Sequence, residues 1–345
     1  MQENWLQIAS TFTVRKSYVL ATIVATKGAT YRKVGTLMLI DEDGECTGLL
    51  SGGCLEADIS LHAKDVLTRQ KTKLLTYDLS SDDNLLWGLG LGCDGAIELL
   101  LQPLLPENNH LEFAMLLDAL SNRKTGYYLQ SISNKNAAQG QFIESELTGE
   151  STDRVISNEE IHGSLSSNNE QLIIPVLPPI SVLICGAGPD VVPVVNIVNQ
   201  LGWQATLWDH RPAYLQQNEF DLCYRKRKVR AEYTKPTEYR AFDAVVVMTH
   251  NLEFDAMYLS KALSANVNYI GLLGPAGRRD KLLKENSLTF EEVQGQVYGP
   301  VGLDLGGRSP QAIALSITAQ IQQHLSKQYT KAQYRAWRQV AATSY

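Results

Sequence analysis

Cys54 and Cys93 are two of five cysteines in a chain of 345 residues, and glycines frame both, as Ser51-Gly52-Gly53-Cys54 and Gly92-Cys93-Asp94-Gly95. Glycines let a ligand or another backbone approach closely, and the N–H groups they expose can cradle phosphate or oxo groups. A thiolate is a soft ligand suited to metal–sulfur chemistry, and its formation is favoured where a helix begins just after it. The run from Cys54 to Gln70 has the apolar spacing of an amphipathic helix, so Cys54 is expected at or beside a helix N-terminus. Cys46, Cys185 and Cys223 have no paired glycine frame of this kind and read as packed thiols. No CxxC pair occurs and no cysteine–histidine set has metal-site spacing, so no protein-held metal is expected.

A second glycine loop, Cys185-Gly186-Ala187-Gly188-Pro189-Asp190-Val191, follows an apolar run and opens a helical one. Gly186 and Gly188 fill the first two glycine places of a dinucleotide fingerprint, Val191 takes the third, and Asp209 ends the next strand where an acid would reach a ribose hydroxyl. Pro189 removes one backbone donor and Asp190 adds a negative charge where a phosphate would sit. Further candidates fall at the ends of later apolar runs: the polar Arg211, His250, Arg278 and Asp304, and Gly274 in a glycine loop. Two readings stay open for this loop, a nucleotide-like or pyrophosphate-bearing ligand, and a tight strand-to-helix turn. An alternative for the whole chain is an NAD(P)-dependent oxidoreductase with Cys54 or Cys93 as its redox thiol.

Elements that position these residues are legible in the periodicity. In the first hundred residues, "SYVLATIVAT" and "TLMLIDEDGECTGLL" read as strands, the second bent into a hairpin at Asp43-Gly44. "GYYLQSIS" and "QLIIPVL" read as short strands that complete the first domain's sheet, and the prolines of "PVLPPI" mark a linker. After Pro179 strands and helices alternate, which is the pattern of a doubly wound parallel sheet, and a helix with Ser309 as N-cap and Pro310 at its first position closes it. The expected class is therefore α/β, with an N-terminal α/β mixed-sheet domain over residues 1–176 and a Rossmann-like domain over residues 177–345.

Hydrophobic residues make up 44% and charged residues 20%, and the formal net charge is −6. That balance gives no footing for nucleic acid, and the basic run Tyr224–Arg230 reads as a solvated loop or helix face. No apolar run has the length of a membrane span and no secretory layout opens the chain, so a cytoplasmic protein with no membrane partner is expected.

Taken together, the chain resembles the XdhC/CoxI family of accessory proteins for molybdenum hydroxylases such as xanthine dehydrogenase. The resemblance rests on "VATKGATYRKVGTLMLI", "GLLSGGCLEADI" and "LGLGCDGAIELLLQP", then on "VLICGAGPDV", "LWDHRPAY", "VVVMTHN", "YIGLLGPAGRR" and "GPVGLDLGGRSPQAIALSITAQI", in the family's order. It implies a chaperone rather than a turnover enzyme, one that binds molybdenum cofactor (molybdopterin, as the monophosphate or a dinucleotide). Such a protein protects the cofactor, helps sulfurate it with a cysteine desulfurase, and passes it to the apo molybdenum hydroxylase. A homodimer is implied by the same analogy. Carried over, Cys54 and Cys93 contact cofactor or sulfur. Arg32 and Lys33 meet the anionic tail, and Gly186, Gly188 and Asp209 serve a nucleotide or pterin portion; Gly52, Gly53, Gly92 and Gly95 of the glycine frames and Arg211, His250, Gly274, Arg278 and Asp304 at the strand ends are the further candidate cofactor contacts. The chain departs from the family pattern at Ser51, Asp94 and Pro189, where glycine, glycine and histidine are common.

Overall fold

Strand β1 (Tyr18–Gly28) is buried over its first seven residues because it lies in the middle of a sheet with a core on each face. Alternate side chains divide between them: Val19, Ala21 and Ile23 enter one cluster, Tyr18, Leu20 and Val24 the other. The computed structural model describes residues 5–78, 95–132, 138–145, 170–328 and 337–339. It divides into two compact units, one of Met1–Pro178 with Thr330–Tyr345 and one of Pro179–Tyr329.

In the first unit, β2 (Leu37–Asp41), β3 (Cys46–Gly48), β4 (Lys73–Asp78) and β5 (Gly95–Leu104) join β1 in the order β3-β2-β1-β5-β4, every pairing antiparallel. Helix α1 (Trp5–Thr11) precedes this sheet, and Gly44, at φ 92°, lies in the β2–β3 turn. Helix α2 (Glu56–Arg69) covers one face with Ile59, Ala63 and Val66, an i, i+4, i+7 stripe. The other face packs on α3 (Phe113–Ser121) and on a separate sheet of β6 (Gly126–Ser131), β7 (Gly140–Glu144), β8 (Gln171–Val176) and β15 (Trp337–Gln339), ordered β15-β8-β6-β7. The strands read as extending the first sheet thus form a layer of their own. Tyr128, Leu172, Ile174 and Val176 bury one apolar face against β1 and β5, which lying edge to edge would leave exposed. The two layers also share a buried polar bridge, in which Gln130 Nε2 donates to Gln102 Oε1 at 3.0 Å. The last of these strands, β15, comes from the far end of the chain, which the sequence had assigned wholly to the second domain; its backbone pairs antiparallel with the β8 residues Gln171–Ile173.

In the second unit, β9 (Ser181–Cys185), β10 (Gln204–Asp209), β11 (Arg225–Lys228), β12 (Ala244–Val247), β13 (Tyr269–Leu272) and β14 (Val297–Tyr298) form a parallel sheet ordered β11-β10-β9-β12-β13-β14. This is the doubly wound 3-2-1-4-5-6 order. Helices α4 (Val192–Gln200) and α7 (Pro310–Gln328) cover one face, α5 (Leu252–Ser264) and α6 (Ala276–Glu285) the other. The Ser309 hydroxyl accepts from the Ala312 amide at 3.2 Å, the N-cap bond its position predicts. The basic run is neither loop nor helix at its centre but the edge strand β11. No described helix is long and apolar enough to cross a membrane.

The ladder between β1 and β5 runs from Tyr18 opposite Leu104 to Gly28 opposite Gly95. A Cβ at Gly95 would strike the carbonyls of Ala29 and Lys27, whereas one at Gly52 would meet nothing within 4 Å. Gly95→Ala is expected to lower stability by about 1–3 kcal/mol through overpacking. Gly52→Ala should change it by under about 0.5 kcal/mol. Urea unfolding midpoints of the two variants check the contrast.

Candidate functional site

Strand direction decides which loops of the first unit are neighbours. β1 ends at Gly28, β2 begins at Leu37 and β3 ends at Gly48 opposite Met38. The chain leaves the sheet at Asp78, opposite Ala96, and re-enters at Gly95. All of these lie at one end of the sheet, so the 29–36 loop with Arg32 and Lys33, the 49–55 loop with Gly52, Gly53 and Cys54, and Gly95 share that end. Cys93 and Gly92 lie outside the described residues. Gly95 has a structural duty, the close approach of β5 to β1.

The Cys54 loop is tied by two side chains. Ser51 Oγ donates to Glu56 Oε2 at 2.5 Å and accepts from the amides of Cys54 and Leu55, both at 3.1 Å. Glu56 Oε1 accepts from the amides of Leu50 at 3.2 Å and Ser51 at 2.9 Å. Glu56 is the first residue of α2, so its carboxylate meets the positive end of the helix, and Cys54 stands just outside it. Partial burial works against that charge, but the hydrogen bonds from the Ser51 hydroxyl and the loop amides outweigh it and hold the Glu56 carboxyl below its ordinary value of 4.5. Gly53 turns the loop at φ 97°, a conformation that favours glycine, and both glycines face open space. Cys54 is half-buried against the same apolar cluster as Val34, in the neighbouring loop. There Thr30 Oγ1 donates to the Arg32 carbonyl at 2.8 Å, and Lys33 is exposed.

In the second unit the carboxyl ends of the strands gather the remaining candidates. Gly186, at φ 116°, follows β9, where a Cβ would strike the backbone of Met248 after β12. Gly188 is buried beside Asp190, whose Oδ2 lies 2.9 Å from His250 Nε2. That pair bridges the β9 and β12 loops at the topological switch point. His250 is a non-glycine residue at φ 60° with a side chain 60% exposed. Asp209, at the end of β10, is buried and fully engaged. Its Oδ1 accepts from the Arg211 amide at 2.8 Å and Arg211 Nε at 3.0 Å, and its Oδ2 from the Ala187 amide and Arg211 Nη2, both at 2.7 Å. Burial opposes ionisation here too, but the bonds from Arg211 and Ala187 and the Arg211 charge keep the carboxyl below its ordinary range. A carboxylate has about four acceptor sites, so none remains for a ribose hydroxyl. Arg278, the candidate anion clamp, donates instead to Asp255 Oδ2 at 2.6 Å, and Gly274 makes room for its side chain. Asp304 is exposed on the loop after Gly302.

Asp255 went unnoticed in the sequence. It is 2% exposed, on the face of α5 that buries Tyr258, Leu259 and Ala262, and it also accepts from the Thr249 hydroxyl at 2.5 Å. An acid at the head of an i, i+3, i+4, i+7 apolar stripe was the available signal. Ser51 showed in the sequence as a departure in a glycine run, while its role as the tie of the loop did not.

The class is set by these two parts, a doubly wound sheet of Rossmann order and an antiparallel unit bearing a glycine-framed thiol. Residues 182–321 match the XdhC Rossmann domain, and residues 14–78 match the XdhC and CoxI family. The chain is 32% identical over 315 residues to a Bacillus subtilis (strain 168) protein named as a probable subunit of xanthine dehydrogenase, covering 88% of this chain and 92% of the relative. It is 24% identical over 309 residues to the molybdenum cofactor insertion chaperone PaoD of Escherichia coli (strain K12), covering 89% and 83%. A crystal structure described as a xanthine dehydrogenase from Bacillus halodurans is similar with a TM-score of 0.75 at 30% identity, covering 96% of this chain and 98% of that one. The chain belongs to the XdhC and CoxI family.

The Ser51–Glu56 tie gives a pH-dependent expectation. A carboxyl held below its ordinary value stabilises the fold fully above that value and loses this contribution as pH falls through the folded-state value. Ser51→Ala should therefore cost about 1–2 kcal/mol at neutral pH, with the gap to the parent chain narrowing below about pH 4. Urea unfolding across pH 3 to 7 reads both; a gap that stays constant would detach Ser51 from the Glu56 charge.

Proposed function

We propose that this chain is a maturation factor that holds molybdenum cofactor and delivers it to a molybdenum hydroxylase of the xanthine dehydrogenase type. The observation that carries the reading is the shared sheet end in the first unit, where the loop bearing Arg32 and Lys33 lies beside the loop bearing the half-buried Cys54 thiol. Family membership and a relative named as a cofactor insertion chaperone support it. The donor set fits the group: guanidinium and ammonium for a phosphate tail, a soft thiol for the molybdenum–sulfur end, and open space at Gly52 and Gly53. When bound, the cofactor is the cargo whose redox chemistry operates in the client enzyme. Arg32 and Lys33 would hold the tail, and Cys54 would contact the dithiolene or a sulfur being transferred, with Cys93 as its partner.

Help with sulfuration by a cysteine desulfurase, and a homodimeric state, belong to the same proposal and rest on the family alone. At the second unit the Asp190–His250 pair, with Gly186, Gly188 and the exposed Asp304, is the region open to a nucleotide or pterin portion. Arg211 and Arg278 act there through the carboxylates they hold. Nicotinamide binding has less support, because Asp209 has its acceptor sites filled and Pro189 offers no N–H.

The test is protein purified from cofactor-producing cells, with released pterin oxidised, measured by fluorescence and identified by mass spectrometry. The parent chain should carry pterin, and Cys54→Ala and the double variant Arg32→Gln/Lys33→Gln should each lower retention by about tenfold or more, roughly 1.4 kcal/mol per decade. Unchanged retention in both variants defeats the site. Binding of NAD(H) or NADP(H) near micromolar, without pterin, defeats the function.

A further inference from the structure

The basic run Tyr224–Arg230 takes part in neither candidate region. Its centre is β11, and the side chains of Arg225, Lys226, Arg227 and Lys228 are all exposed. The strand pairs with β10 on one side, Thr206 opposite Arg225 through Asp209 opposite Lys228. Among the described residues no strand pairs with the other side. The Val229 amide donates to the Asp209 carbonyl at 3.0 Å, one residue past the Asp209–Lys228 pair. Successive amides of a strand point to opposite sides, so those of Arg225 and Arg227 also face β10 and those of Lys226 and Lys228 face outward.

Charge is concentrated here against the sign of the chain, whose net charge is −6. Lys226 pairs with Asp221 at 3.1 Å, Arg227 with Glu238 at 2.5 Å and Arg230 with Glu232 at 3.1 Å. Arg225 and Lys228 have no carboxylate partner among the described residues. Near them in sequence Leu222, Tyr224 and Tyr233 are 65%, 42% and 70% exposed. One lysine on an edge is enough to discourage self-pairing. Unpaired backbone groups, surplus cations and exposed apolar side chains together provide what strand addition uses.

We propose that β11 is the docking edge for an acidic, extended segment of a partner protein. The segment adds as a further strand, its backbone bonding to Lys226 and Lys228 and its carboxylates facing Arg225 on one face of the sheet and Lys228 on the other. Four residues span about 13 Å, which suits a short linear motif. Such a narrow stripe, interrupted by Asp221, Glu232 and Glu238, favours a peptide over nucleic acid.

The experiment is fluorescence anisotropy of the full chain with a labelled, end-capped peptide in which Glu and Val alternate in pairs, so that carboxylates reach both faces of an added strand. The same peptide N-methylated at every residue and a single-stranded oligonucleotide are run beside it. The plain peptide should bind, full N-methylation should weaken it by about tenfold or more, and the double variant Arg225→Glu/Lys228→Glu should do the same. Bound peptide should also slow hydrogen exchange at the Lys226 and Lys228 amides. No binding of the plain peptide, equal binding of the N-methylated one, or tighter binding of the oligonucleotide overturns the proposal. The comparison of the two peptides needs no variant, so it decides even if the double substitution misfolds.

Discussion

The first unit hangs on the antiparallel ladder between β1 and β5. Because β1 is central and buried on both faces, it fixes where α2 and the second sheet must lie. Because its last residues run on to meet the first of β5, it also fixes which loops share an end of the sheet. Gly28 and Gly95 permit that final approach, and a Cβ at Gly95 would push the strands apart where the candidate loops begin. The grouping of Arg32, Lys33 and Cys54 thus follows from strand direction, before any side-chain contact is considered.

The carboxylates at the candidate loops are held by the protein itself. Glu56 is satisfied by Ser51 and the amides around it, Asp209 by Arg211 and Ala187, and Asp255 by Thr249 and Arg278. Internal partners of this kind hold all three side chains in place, and for Glu56 and Asp209 they favour the ionised form. The two units differ in what this leaves over. In the first, a thiol and a cationic loop stand beside glycines that face open space. In the second, the ribose-type acid and the clamp arginine are already engaged, and the exposed pair at the switch point is Asp190 with His250.

Much of the second unit was legible because its strands, β11 apart, are apolar runs ended by glycine or a polar residue, and local pattern alone orders a parallel sheet with helical crossovers. Ser309 and Pro310 likewise act through neighbours in sequence, and the start of α2 directly after Cys54 follows from local spacing. The layer made by β6 and β8 was not legible, since an alternating strand looks the same whether it extends a sheet or lies on top of one. β11 was missed because four consecutive cations mask strand character that its pairing with β10 imposes. The contacts of Asp209 with Ala187 and of Asp255 with Arg278 join residues 22 and 23 positions apart, and only the fold brings them together.

The return of β15 to the edge of β8 has a consequence for dissecting the molecule. The first unit is discontinuous in sequence, and the second is an insertion within it. A gene truncated after Pro178 would encode a sheet whose β8 has lost its outer neighbour, leaving bare backbone donors and acceptors on a strand rich in Leu, Ile and Val. Excising residues 179–329 and rejoining the flanks with a flexible bridge preserves that neighbour, and is the division that follows the folding units rather than the order of the chain.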